Sequence, residues 1–597
     1  MKGIIQAALK ADGWIVTTGF KTGVVQLVGE AIHDHKVTNP RSKITAIGCS
    51  KWGATKNREA LITSKPTTIV NVNPSKTTEK KSQQELEPNH THFILLDDGT
   101  YYNYDTGDYR SRLVLEIANY KYNDDTTSKQ QNVPVVTIVV EGGPDTLFTI
   151  CKDLRQNIPI VLIDGSGRVP NLLTNFLIRT ETMINRMGKD EMTIWKKAID
   201  IKETNDIERL KMKFHPYAEE IRDGLKDISK GSKKDGNFEE LFHCILYCLQ
   251  PAVRSKIRIY SLDSDLDLDD TIFEAIIHAK QAESSDVSTK KQLLRLALAW
   301  DAIEVAKELI IKDDLSDLDD KSRTGLFLEA LKRDRSQFVN TFIKLNFDVT
   351  EIFYESQTNK PWKLKWKQLV EIYKEEFGKD KERLYLLEKC NGNRPVEMRH
   401  HLDHVLKTVV GDYMKSTYAP AVNGFWGRLL ICCRCTNRGR VSDSRTDLYP
   451  DDENDEDEVP DPDEAKKEAR ELAYRDLFFW AVLTNRLDMA KVFLSHMQAR
   501  ICAALIASKI LKSYVEYARD NESKDLLLQE AEQFEEYANE CLKCCYNYDE
   551  AIACEIAIRR INIFGGVSCL QVRFFSQVKE FFFPLSQAQI DYVSFIL

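Results

Sequence analysis

Short apolar runs that end at glycine or aspartate mark the first 185 residues of the chain. They predict five β-strands, namely Trp14–Thr18, Lys43–Ile47, Thr91–Leu96, Val133–Val140 and Ile158–Ile163. Helical spacing in the same region predicts helices over Thr22–Asp34, Arg110–Tyr120, Asp145–Arg155 and Asn171–Asn185. Strands that alternate with helices in this way favour a parallel, doubly wound α/β sheet.

Beyond about residue 185, apolar residues recur every three or four positions, which predicts amphipathic helices. Leu293–Ile311 and Leu326–Ile343 resemble one another, and a third similar unit covers Leu477–Met497. Asp301 and Asp334 occupy matching turns 33 residues apart. That period indicates helix–turn–helix repeats of ankyrin type, and the alternative interpretation is a set of unrelated amphipathic hairpins.

These patterns divide the chain into five segments. We expect an α/β domain in 1–185, a helical region in 186–440, an acidic disordered linker in 441–470, a helical-repeat region in 471–560 and a divergent tail in 561–597. The linker assignment rests on ten acidic residues between Asp451 and Glu464, because such a run repels itself and does not form a core.

The charge balance weakens an interpretation as a general nucleic-acid binder. The net charge is −9, and without the acidic run the remainder is close to neutral, whereas such binders carry a strong basic field. The apolar runs are too short for a membrane-spanning helix, and the N-terminus does not read as a secretory signal. The 14 cysteines are therefore expected to be reduced thiols in the cytosol.

Two glycine turns carry the most specific chemical signal. Glu141–Thr146 and Asp164–Arg168 each follow an apolar strand and precede a helix. Backbone N–H groups at such helix starts favour an anion, and glycine lets a phosphate approach closely. Ligands of open α/β sheets bind at the carboxyl ends of the strands, so the Thr17–Gly19 turn is expected at the same edge. Three arginines would supply positive charge there: Arg110, Arg112 and Arg168.

The alternative interpretation is that these glycines only close tight turns and that Arg168 forms a surface ion pair. Neither turn is a Walker loop or a GxGxxG motif. His400 and His404 share a helix face at zinc-ligand spacing, but no third ligand is evident, so we interpret them as surface histidines and predict no metal site.

Several longer stretches resemble the N-terminal cytosolic region of the melastatin (TRPM) family of transient receptor potential cation channels. In the α/β part these stretches are TTGFKTGVVQLVGEA, HTHFILLDDGTYYNYD, VPVVTIVVEGGPDTLFTI and DGSGRVPNLL. In the helical part they are ALKRDRSQFVNTFIKLNFDV, EMRHHLDHVL, RDLFFWAVLTNRLDMAKVFLSHMQARICAALIASKILK and FEEYANECLKCCYNYDEAIACEIAIRR. The resemblance covers about residues 1–560.

The resemblance implies a Rossmann-like SLOG (LSDAT) domain followed by helical melastatin homology regions. Some members of the family bind ADP-ribose in the SLOG domain, so ADP-ribose or a related nucleotide is the implied ligand. The positions of this chain that match the motif, together with the nearby arginines, are Thr18, Gly19, Arg110, Arg112, Gly142, Gly143, Gly165, Ser166, Gly167 and Arg168.

The chain departs from the family pattern in three respects. It starts at a helix where the family has an earlier strand, it contains no pore, and residues 562–597 do not match. We therefore expect a fragment, a truncated isoform or an incomplete gene model.

The resemblance also implies the function. The chain would be the cytosolic regulatory and assembly region of a calcium-permeable channel in the plasma membrane, sensing a ligand and coupling it to a pore outside this chain. Its partners would be other subunits of a homo- or hetero-tetramer, and nucleic acid is not expected.

Two alternatives belong to other classes of protein. One is a cytoplasmic, pore-less isoform that acts as a scaffold for channel subunits. The other is a phosphoribohydrolase, since SLOG enzymes carry a PGGxGTxxE motif. In this chain the motif's glutamate position is Thr149, and a hydroxyl without a base does not replace a carboxylate in acid–base catalysis. We therefore predict no enzyme activity.

Overall fold

The structure is a computed structural model with two compact units, Met1–Leu318 and Asp319–Leu597. It describes residues 1–40, 42–62, 83–101, 106, 109–119, 133–188, 195, 198–199, 204–229, 238–264, 267–283, 286–312, 314–357, 360–374, 381–418 and 462–576. Each helix within these residues is too short or too polar to cross a lipid bilayer.

The first unit combines parallel strands with helices. Its strands are β1 (Trp14–Thr17), β2 (Thr45–Lys51), β3 (His92–Leu96), β4 (Thr137–Val139), β5 (Ile160–Asp164) and β6 (Ile257–Ser261). Its helices are α1 (Lys2–Ala11), α2 (Gly23–Thr38), α3 (Tyr109–Asn119), α4 (Pro144–Arg155), α5 (Arg168–Asn185), α6 (Thr204–Lys213), α7 (Ala218–Ser229), α8 (Phe238–Leu249), α9 (Pro251–Arg254), α10 (Leu268–Glu283), α11 (Val287–Trp300) and α12 (Ile303–Val305), which continues as a π-helix over Ala306–Ile311.

The strands form two parallel three-stranded sheets, in the orders β1-β2-β3 and β4-β5-β6. The sequence predicts one parallel sheet, and the structure corrects this to two. Part of the reason is that β4 is shorter than the predicted strand Val133–Val140. Pro134 has no N–H for a ladder, and the N–H of Val133 donates to the carbonyl of Ala118 at the end of α3 instead (3.0 Å).

Strand β6 was not predicted. Ile160 of β5 pairs with Ile257 of β6, so a segment beyond residue 185 completes the second sheet. Helix α8 also packs into the core around β5, where Phe242 and Ile245 belong to the same buried cluster as Leu162. The expected domain limit at residue 185 therefore passes through this core.

The second unit is largely helical. Its helices are α13 (Asp320–Lys332), α14 (Ser336–Lys344), α15 (Thr350–Phe353), α16 (Trp366–Glu371), α17 (Lys381–Cys390), α18 (Arg399–Val410), α19 (Pro462–Leu483), α20 (Leu487–His496), α21 (Arg500–Tyr514), α22 (Asn521–Tyr548), α23 (Glu550–Ile558) and α24 (Cys569–Ser576). An antiparallel pair, β7 (Tyr354–Gln357) and β8 (Lys360–Leu364), lies between α15 and α16.

Three helix pairs share the same turn. In each pair, the backbone has a positive φ one or two residues after the first helix ends, at Asp301 (60°), Asp334 (59°) and Asn485 (55°). At each turn a backbone N–H reaches back five residues, from Ala302 to Ala297, Arg335 to Ala330 and Arg486 to Ala481. The hairpins agree with the segments in which the sequence predicts repeats, while the ankyrin-like relationship stays a prediction.

The expected linker and tail are shorter than predicted. Helix α19 begins at Pro462, so the last nine residues of the predicted linker are helical, and residues 441–461 lie outside the described part. The first residues of the predicted tail 561–597 are part of the folded unit, because Phe564 and Cys569 are fully buried and Ile561 pairs with Val567. Residues 577–597 lie outside the described part.

Candidate functional site

The two predicted glycine turns adjoin one another at the carboxyl ends of β4 and β5. The Ser166 hydroxyl donates to the carbonyl of Ile163 (2.6 Å) and accepts the N–H of Glu141 (3.0 Å). One side chain therefore ties both turns together. Positive φ recurs through them, at Glu141, Gly142, Gly165, Gly167 and Arg168. Such conformations are costly for residues other than glycine and often occur at binding sites.

Asn171, in the first turn of α5, was missed by the sequence analysis. Its Oδ1 atom accepts the N–H groups of Gly165 (2.9 Å) and Gly167 (3.0 Å). These two amides were expected to face an anion, and here a side chain of the protein satisfies them. The available signal was an asparagine four residues after the last turn glycine, a residue type that often bonds nearby backbone amides.

Arg168 lies across the neighbouring turn. A Cβ atom on Gly143 would lie 3.0 Å from Nη2 of Arg168, so glycine leaves the space that the guanidinium uses. The same Nη2 donates to the carbonyl of Ile228 near the end of α7 (3.1 Å). Arg168 is exposed, and this bond orients its fork beside Gly143.

Thr18 and Gly19 lie at the carboxyl end of β1, in the first sheet. Gly19 is buried with φ of 74°, and a Cβ atom there would lie 2.7 Å from Cα of Gly48 in β2. The carbonyl of Thr18 accepts the Ser50 hydroxyl (2.7 Å). The turn is thus packed tightly against β2, which explains the glycine.

Arg110 and Arg112 stand at the start of α3. Arg110 is half-buried near Cys49 of β2, where burial raises the pKa of the thiol and the Arg110 charge opposes that rise. Arg112 is exposed. The intervening Ser111 donates to Asp153 of α4 (2.7 Å), which also accepts from Thr137 of β4 (2.8 Å). These bonds join α3 to the second sheet.

A second missed group lies beside the Thr17–Gly19 turn. The Thr17 Oγ1 atom lies 2.8 Å from Nε2 of His90, and Nδ1 of His90 lies 2.8 Å from Oε2 of Glu87. The spacing Glu-x-x-His immediately before β3 was the available signal. Both side chains are almost completely buried.

A metal site and a cavity are two other kinds of candidate site. Among the described residues, no group of three His, Cys, Asp or Glu side chains could hold a metal ion. In the second unit, a cavity of about 500 Å³ lies between the end of α18 and α21 and is lined in part by Tyr413, Lys509 and Tyr517. The sequence analysis singled out none of these residues, and the glycine turns belong to the first unit.

Comparison with known proteins gives a consistent result along the chain. A family model described as SLOG in TRPM matches residues 1–208, and a TRPM2-like domain model matches residues 316–583. The second match passes residue 560, where the resemblance was expected to end, and this corrects that limit.

Curated relatives match almost the whole chain. Transient receptor potential cation channel subfamily M member-like 2 of Nematostella vectensis is 27% identical over 97% of this chain and 34% of its own length. Subfamily M member 2 of Rattus norvegicus is 25% identical over 96% of this chain and 35% of its length, and member 5 of Homo sapiens is 22% identical over 97% and 46%. The chain spans about a third to a half of these relatives. It belongs to the melastatin (TRPM) family of transient receptor potential cation channels, whose N-terminal region, with its SLOG domain, it represents.

Proposed function

We propose that this chain is the cytosolic regulatory and assembly region of a calcium-permeable TRPM-type channel. In this proposal the chain binds a ligand in the SLOG domain and couples that binding to a pore outside this chain. The observation that carries the proposal is the match of both domain models to one chain, together with relatives named as cation channels along 96–97% of it. Coupling requires that the ligand bind one channel state more tightly than the other.

The ligand of this proposal is a nucleotide diphosphate such as ADP-ribose, bound at the glycine turns. The Ser166 bridge supports this site, because it holds the two turns side by side. Arg168 supports it through an exposed guanidinium that lies beside Gly143, where it could clamp a phosphate. Because Asn171 already uses the amides of Gly165 and Gly167, the phosphate would contact the Gly142–Gly143 turn and Arg168.

Calorimetry of ADP-ribose with the full chain tests this site. Replacing Arg168 with alanine removes a charge-assisted bond of about 1.5–3 kcal/mol, so binding should weaken roughly ten- to hundredfold. The matched control is Arg179→Ala on the same helix, where the arginine pairs with Glu220. Equal affinity of the two variants would reject the role of Arg168, and absence of binding to the unaltered chain would reject the site.

The assembly part of the proposal concerns partners. The implied partners are further TRPM-type subunits in a tetramer at the cytosolic face of the plasma membrane. Co-expression with a full-length TRPM channel, followed by detergent extraction and purification of the channel, tests it. Recovery of this chain in the purified complex is expected. A chain that stays separate would overturn the assembly role, and recovery with reduced channel current would favour a pore-less scaffold.

The phosphoribohydrolase alternative has less support. Thr149 occupies the position of the catalytic glutamate, and its hydroxyl bonds back to the carbonyl of Asp145 in α4 (3.1 Å). A hydroxyl bonded to its own helix does not act as a general base. Incubation with nucleoside monophosphates should release no free base, and release of one would establish an enzyme.

We further infer that the three helix pairs belong to one ankyrin-like repeat series. The shared turn geometry at Asp301, Asp334 and Asn485 supports this.

A further inference from the structure

A closed ring of hydrogen bonds surrounds the turn that follows β1. The N–H of Gly19 donates to Thr17 Oγ1 (2.9 Å), and Oγ1 lies 2.8 Å from His90 Nε2. His90 Nδ1 lies 2.8 Å from Glu87 Oε2, and the backbone N–H of Glu87 returns to the carbonyl of Gly19 (2.9 Å). The ring therefore begins and ends at the peptide groups of Gly19.

Glu87 anchors the ring. Its residue is only 1% exposed, and its carboxylate accepts four donors. These are the N–H of Asn89 (2.9 Å), Nδ2 of Asn89 (2.9 Å), the N–H of His90 (3.1 Å) and Nδ1 of His90 (2.8 Å). A buried carboxylate is stable when its acceptor sites are filled in this way. The position of the imidazole beside it is thereby fixed.

The carboxylate also determines which nitrogen of His90 carries hydrogen. Nδ1 must donate to Glu87, since a carboxylate only accepts. In the neutral ring Nε2 then accepts the hydroxyl proton of Thr17. Because Thr17 Oγ1 also accepts the N–H of Gly19, this hydroxyl both donates and accepts within the ring.

The surrounding glycines show how closely the ring is packed. A Cβ atom on Gly29 of α2 would lie 2.0 Å from Cδ of Glu87, so only glycine leaves room for the buried carboxylate. On the other side, Gly19 packs on Gly48 of β2. The turn is therefore held by backbone contact on one side and by the ring on the other.

We propose that Glu87 and His90 are positioning residues that hold the Thr17–Gly19 turn in the conformation that presents Thr18 to a phosphate-bearing ligand. The proposal rests on the nucleotide-binding function proposed above and deepens it. His90 and Glu87 act through Thr17 and do not touch the ligand. The turn would be ordered before the ligand binds, which reduces the entropic cost of binding.

Variants of Thr17 in the full chain test the proposal. Thr17→Val keeps the shape of the side chain but removes the hydroxyl, and should weaken ADP-ribose binding about tenfold or more in calorimetry. Thr17→Ser restores the hydroxyl and should bring affinity back to within about twofold. His90→Gln should behave like Thr17→Val, while the matched control His92→Gln, at an exposed position of the next strand, should change nothing. Unchanged affinity in Thr17→Val and His90→Gln would overturn the proposal.

Two further measurements separate this proposal from the nucleotide site itself. Hydrogen exchange of the peptide containing Thr17–Thr22 should accelerate about tenfold or more in Thr17→Val and recover in Thr17→Ser. The ¹⁵N spectrum should show a histidine protonated at Nδ1 that disappears in His90→Gln. If the unaltered chain does not bind ADP-ribose, the nucleotide site fails. In that case accelerated exchange in Thr17→Val still supports the positioning role, and unaltered exchange overturns it.

Discussion

At the scale of single residues, the second unit depends on a buried ion pair. Asp476 is fully buried and accepts hydrogen bonds from the hydroxyls of Tyr354 (2.7 Å) and Tyr418 (2.9 Å) and from the guanidinium of Arg475 (2.6 Å from Nη2). Arg475 also donates to the carbonyl of Ile563 (3.1 Å). The pair thus links α19 with β7, with the segment after α18 and with the residues after α23.

Removing the acid should be costly, because Arg475 would remain buried without its counter-charge. We expect Asp476→Ala to lower the free energy of unfolding of this unit by about 3–5 kcal/mol. Asp488→Ala, at a side chain that is 88% exposed, is the control and should stay within about 0.5 kcal/mol. Hydrogen exchange of α19 peptides during a urea titration measures both. Equal midpoints would show that the pair adds nothing to stability.

Cysteine reactivity should follow burial. Burial raises the pKa of the Cys390 thiol to about 12, and the nearby negative charge of Glu516 adds to the effect. The thiolate is the reactive form, so at pH 8 about one Cys390 in ten thousand would be ionised. Iodoacetamide should therefore label the exposed Cys544 rapidly and leave Cys390 unmodified while the chain is folded. Mass spectrometry of the two peptides decides this, and comparable labelling would contradict the burial of Cys390.

At the scale of elements, the helix-hairpin turns could be predicted from the sequence, whereas the pairing of strand β6 with β5 could not. The repeated spacing of Asp301 and Asp334 located two turns, because a positive-φ turn favours Asp, Asn or Gly locally. Strand β6 was missed because it lies beyond residue 185, where helical spacing dominates the sequence, and because its partner β5 is far away in the sequence. A short run shows propensity, while pairing is decided by the tertiary core.

The turn between α19 and α20 allows a direct measurement. Asn485 has φ of 55°, a conformation that a β-branched residue tolerates poorly. We expect Asn485→Val to destabilise the second unit by about 1–2 kcal/mol, and Asn485→Gly to be neutral or slightly stabilising. The same urea assay compares them. If valine and glycine have the same effect, the backbone strain at this turn is negligible.

At the scale of the whole molecule, the candidate site shows where sequence reasoning ends. The glycine turns could be found, because each glycine stands at a strand end. Asn171 and the ring of Thr17, His90 and Glu87 could not be found, since their roles depend on which atoms lie within hydrogen-bond distance after folding. The extent of the first unit could not be predicted for the same reason, since the pairing of β6 with β5 is evident only after folding.

The extent of the first unit is testable with fragments. Cutting at residue 185 removes β6 and α8, and α8 contributes eight buried residues, Leu241, Phe242, Cys244, Ile245, Leu246, Tyr247, Cys248 and Leu249. At about 1.5–3 kcal/mol for each large apolar side chain, this loss is comparable to or larger than the 5–15 kcal/mol that stabilises a typical domain. It also leaves the edge of β5 unpaired, which promotes association with other chains.

We therefore expect residues 1–185 to associate and to melt without a cooperative transition, whereas residues 1–318 should be monomeric and melt cooperatively. Size-exclusion chromatography and thermal circular dichroism compare the two fragments. Residues 1–208, the extent of the SLOG match, also lack β6 and α8 and should behave like the shorter fragment. A monomeric, cooperatively melting 1–185 fragment would mean that the core around β5 is stable without the helix and strand that cover it here.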